Sequence, residues 1–353
     1  MLDINLYLKE KKEVIDSVLE KYIPRKFNER TLRNILGKEK YSFDIDSANR
    51  AISEPIWDFL DRGGKRWRPA LFMLLTEALG GDTEKVLDFV ALIEFIHNGT
   101  IIIDDIEDNS SLRRGKKCLH KIYGEDIAIN AGNAIYFIPL KIIMDSDLDT
   151  SVKEKAFEIY SQEMINLHFG QAMDIFWHKG GNRGITEKQY LQMVSFKTGT
   201  LARLSARLAA LLSGKDEKTE KILGKMAETI GIGFQIQDDI LDITAKERKK
   251  FGKAFGNDIT EGKRSLMVIR VLERGEEKDK KRLIEILDSH TKDKNLINEA
   301  IKIIEKYDAV NYAKNLARKM LKDAWKEAEK VLKESEAKKT LQSFMEYLIE
   351  RDV

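Results

Sequence analysis

Val86-Leu-Asp-Phe-Val-Ala-Leu-Ile-Glu-Phe-Ile-His-Asn-Gly-Thr-Ile-Ile-Ile103 is the stretch on which the fold turns. Helical steps of about 100° carry Val90, Ala91, Leu92, Ile93, Phe95 and Ile96 round the whole circumference, so this helix needs other helices on every side. It reads as the central helix. Leu201 to Leu212 and Ile222 to Ile243 read similarly, with Gly231 and Gly233 permitting close helix approach or a kink. Towards the N-terminus, Ile15, Val18, Leu19 and Tyr22 form one stripe that stops near Pro24, an amphipathic helix in need of a partner. Towards the C-terminus, Leu296, Ala300, Ile304, Leu316, Met320, Ala324, Ala328 and Leu332 make narrow stripes amid dense Lys and Glu, the pattern of surface helices. Prolines occur only at positions 24, 55, 69 and 139, and no strand alternation is visible. The expectation is an all-α fold, a single large helical bundle domain. Residues 46–353 would form that domain and residues 1–45 a helical extension carrying no motif.

Composition narrows the function. The 353 residues hold 61 Lys and Arg against 59 Asp and Glu, a net +2 that provides no basic excess for a nucleic-acid surface. The single cysteine, Cys118, precludes an internal disulfide or a cysteine-based zinc cluster and fits a reducing compartment. No positively charged leader and no run of about 18 apolar residues appears. A cytoplasmic protein with no membrane span and no nucleic-acid partner is expected.

The central helix ends in Asp104-Asp105-Ile106-Glu107-Asp108. Residues four apart on a helix lie about 40° apart round the axis, so Asp104 and Asp108 share a face with Asp105 close by. Gathering carboxylates at the end of an apolar helix is unfavourable unless a cation compensates them, and hard divalent ions with oxygen ligands do so best. One such cluster alone would read as a solvated acidic helix end. The spacing returns, however, at Asp238-Asp239-Ile240-Leu241-Asp242, after Ile230, Ile232, Phe234 and Ile236. With no His or Cys alongside, the donors suit Mg²⁺ ions that share ligands with a phosphate. Short basic clusters match such a polyanion: Gly64-Lys65-Arg66-Trp67-Arg68-Pro69, Arg113-Arg114-Gly115, Lys197-Thr198-Gly199, Gly252-Lys253 and Gly262-Lys263-Arg264. Each alone would pass for a solvated face, but together with two acidic sites they read as clamps for diphosphate oxygens.

These motifs, together with Asn109-Ser110-Ser111-Leu112 after the first acidic cluster, Gly170-Gln171-Ala172-Met173-Asp174 and Phe234-Gln235-Ile236-Gln237 before the second, resemble the trans-isoprenyl diphosphate synthases in order and spacing. The resemblance covers about Gly63 to Lys263. It implies an all-α isoprenoid-synthase-type bundle around a central cavity, in which two Asp-rich motifs on facing helices hold three Mg²⁺ against an allylic diphosphate across an apolar pocket. By the same resemblance Asp104, Asp105, Asp108 and Asp238 are metal ligands, with Asp239 and Asp242 near the metal through water and Asp174 beside them. Lys65, Arg68, His97 and Arg114, with Gly64, take isopentenyl diphosphate. Arg113, Lys197 and Lys253 grip the allylic diphosphate, with Gln171, Thr198, Phe234, Gln235 and Lys263 lining that site. The reaction implied is head-to-tail condensation by a homodimer. The departing diphosphate accepts the proton finally lost.

Some residues carry rival readings. His97 alone would pass for a core histidine. Glu94 and His97 make half of the Glu-x-x-His pattern of di-iron bundles, which needs two such pairs. Trp67 is expected to pack, Cys118 to have no role, and Lys246 to Lys250 to be either a lid or a solvated loop. Arg264 and Ser265 depart from the family pattern. The prenyl chain should extend back along the helix past Thr100, Gly99 and Ile96. Two small residues there suggest a product longer than farnesyl diphosphate, with the floor at Ile93, Tyr136 or Phe137. The segment Ile102 to Phe137 looks most like geranylgeranyl diphosphate synthases, with longer prenyl diphosphates or farnesyl diphosphate as alternatives. A terpene cyclase would not need the Lys65 and Arg68 clamp, and a non-catalytic partner subunit would have lost carboxylates that are present here.

Overall fold

A computed structural model describes residues 4–181, 184–244 and 255–350. The chain divides into two compact units, one of residues 1–158 and 208–215, the other of 159–207 and 216–353.

The first unit contains α1 (Ile4–Tyr22), α2 (Glu29–Leu36), α3 (Ile45–Ala48), α4 (Glu54–Asp61), α5 (Trp67–Ala78), α6 (Phe89–Glu107), α7 (Glu125–Phe137), α8 (Leu140–Met144) and the start of α9 (Thr150–His178). The expected central helix is α6. Its residues Phe89 to Ile96 are all buried, and it packs against α1, α5 and α7. Phe72 of α5 stacks on Phe89 with ring centroids 6.5 Å apart. On α1 the expected stripe is the buried one: Ile15, Val18 and Leu19 turn inward. Past Ile96 the burial of α6 becomes one-sided, and His97, Thr100, Ile101, Asp104 and Asp108 are only partly covered. At spacings of three and four these residues form one open stripe.

Among the described residues the only strands are Leu112–Arg113 and Lys116–Lys117, paired antiparallel. Arg114 (φ 52°) and Gly115 (φ 78°) turn between them, both in the left-handed region that a two-residue hairpin of this kind requires. The segment Glu125–Met144, which the sequence reading did not single out, is long and apolar enough by composition to cross a membrane. Pro139 divides it into α7 and α8, and α7 packs on α6, so its apolar composition serves a helix of this unit's interior.

The second unit holds the rest of α9, α10 (Glu187–Val194), the start of α11 (Thr200–Leu212), α12 (Glu217–Thr244), α13 (Asn257–Thr260), α14 (Leu266–Arg274), α15 (Glu277–Asp288), α16 (Lys294–Lys306), α17 (Ala309–Ala328) and α18 (Glu336–Glu350). A π-helical turn, Ser195–Gly199, joins α10 to α11. The tail helices bury narrow stripes on one side, as expected: Ala300 and Ile304 on α16, Ala328 on α17 and Leu332 beyond it are buried. On α17, which packs against α12, the buried positions also include Ala309, Ala313, Ala317 and Leu321. Small side chains let the two helices approach closely, so the buried stripe is an alanine stripe beside the Leu316 and Met320 register read from the sequence.

Candidate active site

In the first unit α6 and the hairpin after it assemble a cluster of unlike charges. Asp104 and Asp108 lie on the open stripe of α6, whereas Asp105 is buried with 1% of its surface exposed. The hairpin folds Arg113 back so that its Nε donates to Asp105 Oδ1 at 2.8 Å, and Nη2 comes within 3.7 Å of Asp104 Oδ2. Asp105 Oδ2 is buried and meets no hydrogen-bond partner among the described residues. The three aspartates expected to act alike are therefore divided, two on the open face and one committed to an arginine. Cys118, expected to be idle, is buried beside Asp105, and burial followed by that carboxylate pushes its thiol up to about 12.

Two turns earlier on the same stripe, Arg68 Nη1 stands 3.2 Å from His97 Nε2. Arginine can only donate, so Nε2 accepts and the ring proton sits on Nδ1. Burial first, then Arg68, Arg114, Arg66 and Arg113, holds His97 well below its usual range and hence neutral. Trp67 is buried and carries the Arg68 guanidinium 4.3 Å above its ring, so it both packs and stacks. Arg114 Nη1 reaches Asn98 Oδ1 at 3.4 Å, and burial above all lowers its guanidinium to about 10. Glu94 Oε1 accepts from Arg66 Nη1 and from Asn98 Nδ2, both at 2.7 Å, which removes the di-iron reading of Glu94 and His97.

The chain-length expectations need correction. A side chain at Gly99 would not enter open space: its Cβ would meet Gly132 O of α7 at 2.8 Å and the Tyr136 ring at 2.9 Å. Phe137 is 66% exposed in this chain and closes no floor within it. Ile93, Ile96 and Tyr136 are buried, and Thr100 on the open stripe donates its hydroxyl to the His97 carbonyl at 2.8 Å.

In the second unit the π-turn presents Lys197 and Thr198. It is wedged between helices, since a Cβ at Gly170 would strike the Lys197 backbone nitrogen and one at Gly231 would stand 2.7 Å from Gly199 Cα. Lys197 Nζ pairs with Asp174 Oδ2 at 2.5 Å, with Gln171 one turn earlier on α9. Thr198 Oγ1 donates to Gln235 Oε1 at 3.0 Å, Gln235 Nε2 to Asp239 Oδ1 at 2.8 Å, and Tyr190 OH to Asp239 Oδ2 at 2.8 Å. Burial, then the charge of Asp258, pushes the Asp239 carboxyl up to about 8. Asp238, with Phe234 and Gln235, lies on the partly covered side of α12. Asp242 is buried and accepts the Asp258 N–H at 3.1 Å. Lys263 Nζ stands 2.6 Å from Glu261 and 3.5 Å from Asp258. Arg264, the departure noted above, is buried and internal, donating to Gly262 O at 2.6 Å and pairing with Asp288. Lys253 and the stretch Lys246 to Lys250 lie outside the described residues.

Sequence reasoning missed Tyr190 and Asp258. Asp258 had a signal, four residues before the Gly262-Lys263 cluster, whereas nothing marked Tyr190, the one aromatic residue of α10.

The polyprenyl synthetase family model matches residues 49–304. A geranylgeranyl pyrophosphate synthase of Geoglobus acetivorans is 38% identical over 83% of this chain and 89% of its own. A short chain isoprenyl diphosphate synthase of Methanothermobacter thermautotrophicus is 37% identical over 82% and 87%. The crystal structure of a geranylgeranyl pyrophosphate synthetase from Pyrococcus horikoshii superposes with a TM-score of 0.85 at 32% identity, covering 98% of both chains.

Proposed function

The chain belongs to the polyprenyl synthetase family and is a trans-prenyltransferase; from that premise we propose that it condenses isopentenyl diphosphate head-to-tail with allylic diphosphates, using Mg²⁺, and stops at geranylgeranyl diphosphate. The observation that carries this reading is the open stripe of α6. At 1.5 Å per residue, Asp104 lies about 10 Å along the helix from His97, with Thr100 and Ile101 between. One helix face thus offers carboxylates for a metal-bound diphosphate and, two turns away, a cationic cluster for a second one.

The donor set fits the ion. Asp104 and Asp108 are oxygen donors on one partly open face, which suits a cation that keeps waters and takes further ligands from phosphate. Asp238 is the matching open carboxylate of the second cluster. When bound, Mg²⁺ would neutralise charge growing on the leaving diphosphate. In the first unit Asp105 holds Arg113, and in the second Asp174 holds Lys197, each as a fixed cation for diphosphate oxygens. Lys65, Arg68, neutral His97 and Arg114 take the isopentenyl diphosphate, while the apolar part of the stripe excludes water and keeps the double bond close to the reacting carbon.

Relatives named geranylgeranyl synthases support the product length, as does the small residue Thr100 on the open stripe. Thr100, on the open stripe, replaces Gly99 as the position where an aromatic residue should shorten the product. For a homodimer the support is an exposed apolar stripe on each unit: Ile129 and Phe137 on α7, Ile165, Phe169 and Phe176 on α9.

Incubating the purified chain with labelled isopentenyl diphosphate and farnesyl diphosphate tests the reading. Geranylgeranyl diphosphate should form with Mg²⁺ and vanish with EDTA. Farnesyl diphosphate as sole end product from shorter primers would refute the product assignment, and unconsumed isopentenyl diphosphate would refute the activity. Light scattering of the same preparation reports the mass of the assembly.

A further inference from the structure

The N-terminal extension carries no motif, yet α1 packs against α5 and α6 and sets one carboxylate on the loop that opens α5. Asp16 Oδ1 accepts from Arg66 Nε at 2.9 Å. The same guanidinium donates Nη1 to Glu94 Oε1 at 2.7 Å and Nη2 to the Leu60 carbonyl at 3.0 Å, and its side chain is 2% exposed. All its edges are therefore taken up inside the protein. Arg66 lies between Lys65 and Arg68 in sequence but serves as an internal brace.

The brace has work to do in the backbone. Arg66 adopts φ 51°, a left-handed conformation that a residue with a side chain keeps only where its surroundings impose it. The three guanidinium contacts impose it here, and so set where Lys65 and the first turn of α5, with Arg68, emerge. From Glu94 the network continues through Asn98 to Arg114. The Arg114 guanidinium in turn lies against Gly64, whose added Cβ would stand 3.2 Å from Nη2. Arg66 thus pairs with the buried carboxylate of Glu94 directly while Arg114 connects to it only through Asn98, and Asp16 is the second negative charge that holds Arg66 to the protein side.

We propose that Asp16, acting through Arg66, is a positioning residue for the isopentenyl diphosphate clamp, which makes the N-terminal helix a working part of that subsite; this rests on Lys65, Arg68, His97 and Arg114 forming the clamp. Without the Asp16 charge the Arg66 Nε loses its anionic acceptor, and one of the three ties on the left-handed loop is weakened.

Steady-state kinetics of the full chain test the brace, each substrate being varied at saturation of the other. Asp16 is 37% exposed, so its variants should fold. Asp16→Asn, which keeps an oxygen acceptor but not the negative charge, should raise KM for isopentenyl diphosphate about five-fold, as expected when the hydrogen bond from Arg66 loses its charge assistance, and leave KM for farnesyl diphosphate unchanged. Asp16→Glu should restore most of the affinity. An unchanged KM for isopentenyl diphosphate in Asp16→Asn overturns the proposal, as does an equal rise in both KM values with a fall in Tm. Lys65→Ala and Arg68→Ala separate the two ways of failing. If they raise KM for isopentenyl diphosphate while Asp16→Asn does not, the brace is wrong and the clamp stands. If they leave it unchanged, the clamp reading is wrong and the brace falls with it.

Discussion

The clusters Asp104-Asp105-x-x-Asp108 and Asp238-Asp239-x-x-Asp242 have the same spacing, each near the end of a long apolar helix, but their second aspartates are held in opposite ways. Asp105 meets a cation, the guanidinium of Arg113, and forms a buried ion pair. Asp239 meets two neutral donors, Tyr190 OH and Gln235 Nε2, and burial first, then the nearby Asp258, raises its pKa to about 8. Spacing alone therefore does not determine what a carboxylate in such a motif does; the charge of its buried partner does. The first cluster is built to keep an anion and a cation together, and the second to hold an acid among dipoles.

The comparison breaks most visibly if the open aspartates prove dispensable. Asp104→Ala and Asp238→Ala should each lower kcat by about a thousand-fold or more, since each would remove a ligand for the ions that neutralise the leaving group. Retention of more than a tenth of the activity by either would show that its cluster is not a metal site.

The second aspartates sharpen the contrast. Asp105→Asn leaves the buried side of Arg113 without its counter-charge, and breaking such a pair costs about 3 kcal/mol, or about a hundred-fold in kcat/KM. Asp239→Asn keeps one acceptor and forfeits one hydrogen bond from a neutral donor, a loss of about ten-fold. Equal losses in the two variants would mean that Asp239 works as an anion and that the difference drawn between the clusters is wrong.

The clusters themselves were legible in the sequence because a carboxylate run closing an apolar helix is a local pattern, and helix existence followed from the same periodicity. Their partners were not. Arg113 reaches Asp105 only because Arg114 and Gly115 turn the chain back in a hairpin, a feature two residues long on each side. Tyr190 reaches Asp239 from another helix, and Asp16 reaches Arg66 from the N-terminal extension; no periodicity encodes such pairings. The C-terminal register was legible in part: Ala300, Ile304, Ala328 and Leu332 are buried as read, whereas Ala309, Ala313 and Ala317 were passed over because small side chains mark a stripe weakly. Gly99 teaches the same in reverse: its smallness serves the contact with Gly132.

A smaller effect isolates the neutral-donor side. Tyr190→Phe removes one hydrogen bond to a buried carboxyl and nothing else, so it should lower stability by about 1 kcal/mol and kcat/KM by a few-fold. A denaturant titration of the variant measures the first and steady-state kinetics the second. A loss as large as that of Asp105→Asn would mean that the tyrosine does more than orient Asp239.

The smallest effect probes the cationic side through His97. Burial and four surrounding arginines hold its folded-state pKa below the unfolded value of 6.5, so the folded protein refuses a proton that the unfolded chain accepts. The stability associated with neutral His97 is therefore complete above pH 6.5 and is lost as pH falls below it, by about 1 kcal/mol one unit lower. Replacing the ring with a group that does not titrate should remove that loss. Wild type should lose more stability than His97→Gln between pH 7.5 and 5.5, and the curves should run parallel above 7. Parallel curves over the whole range would mean that His97 takes up its proton in the folded state, which cannot be reconciled with a ring nitrogen accepting from Arg68.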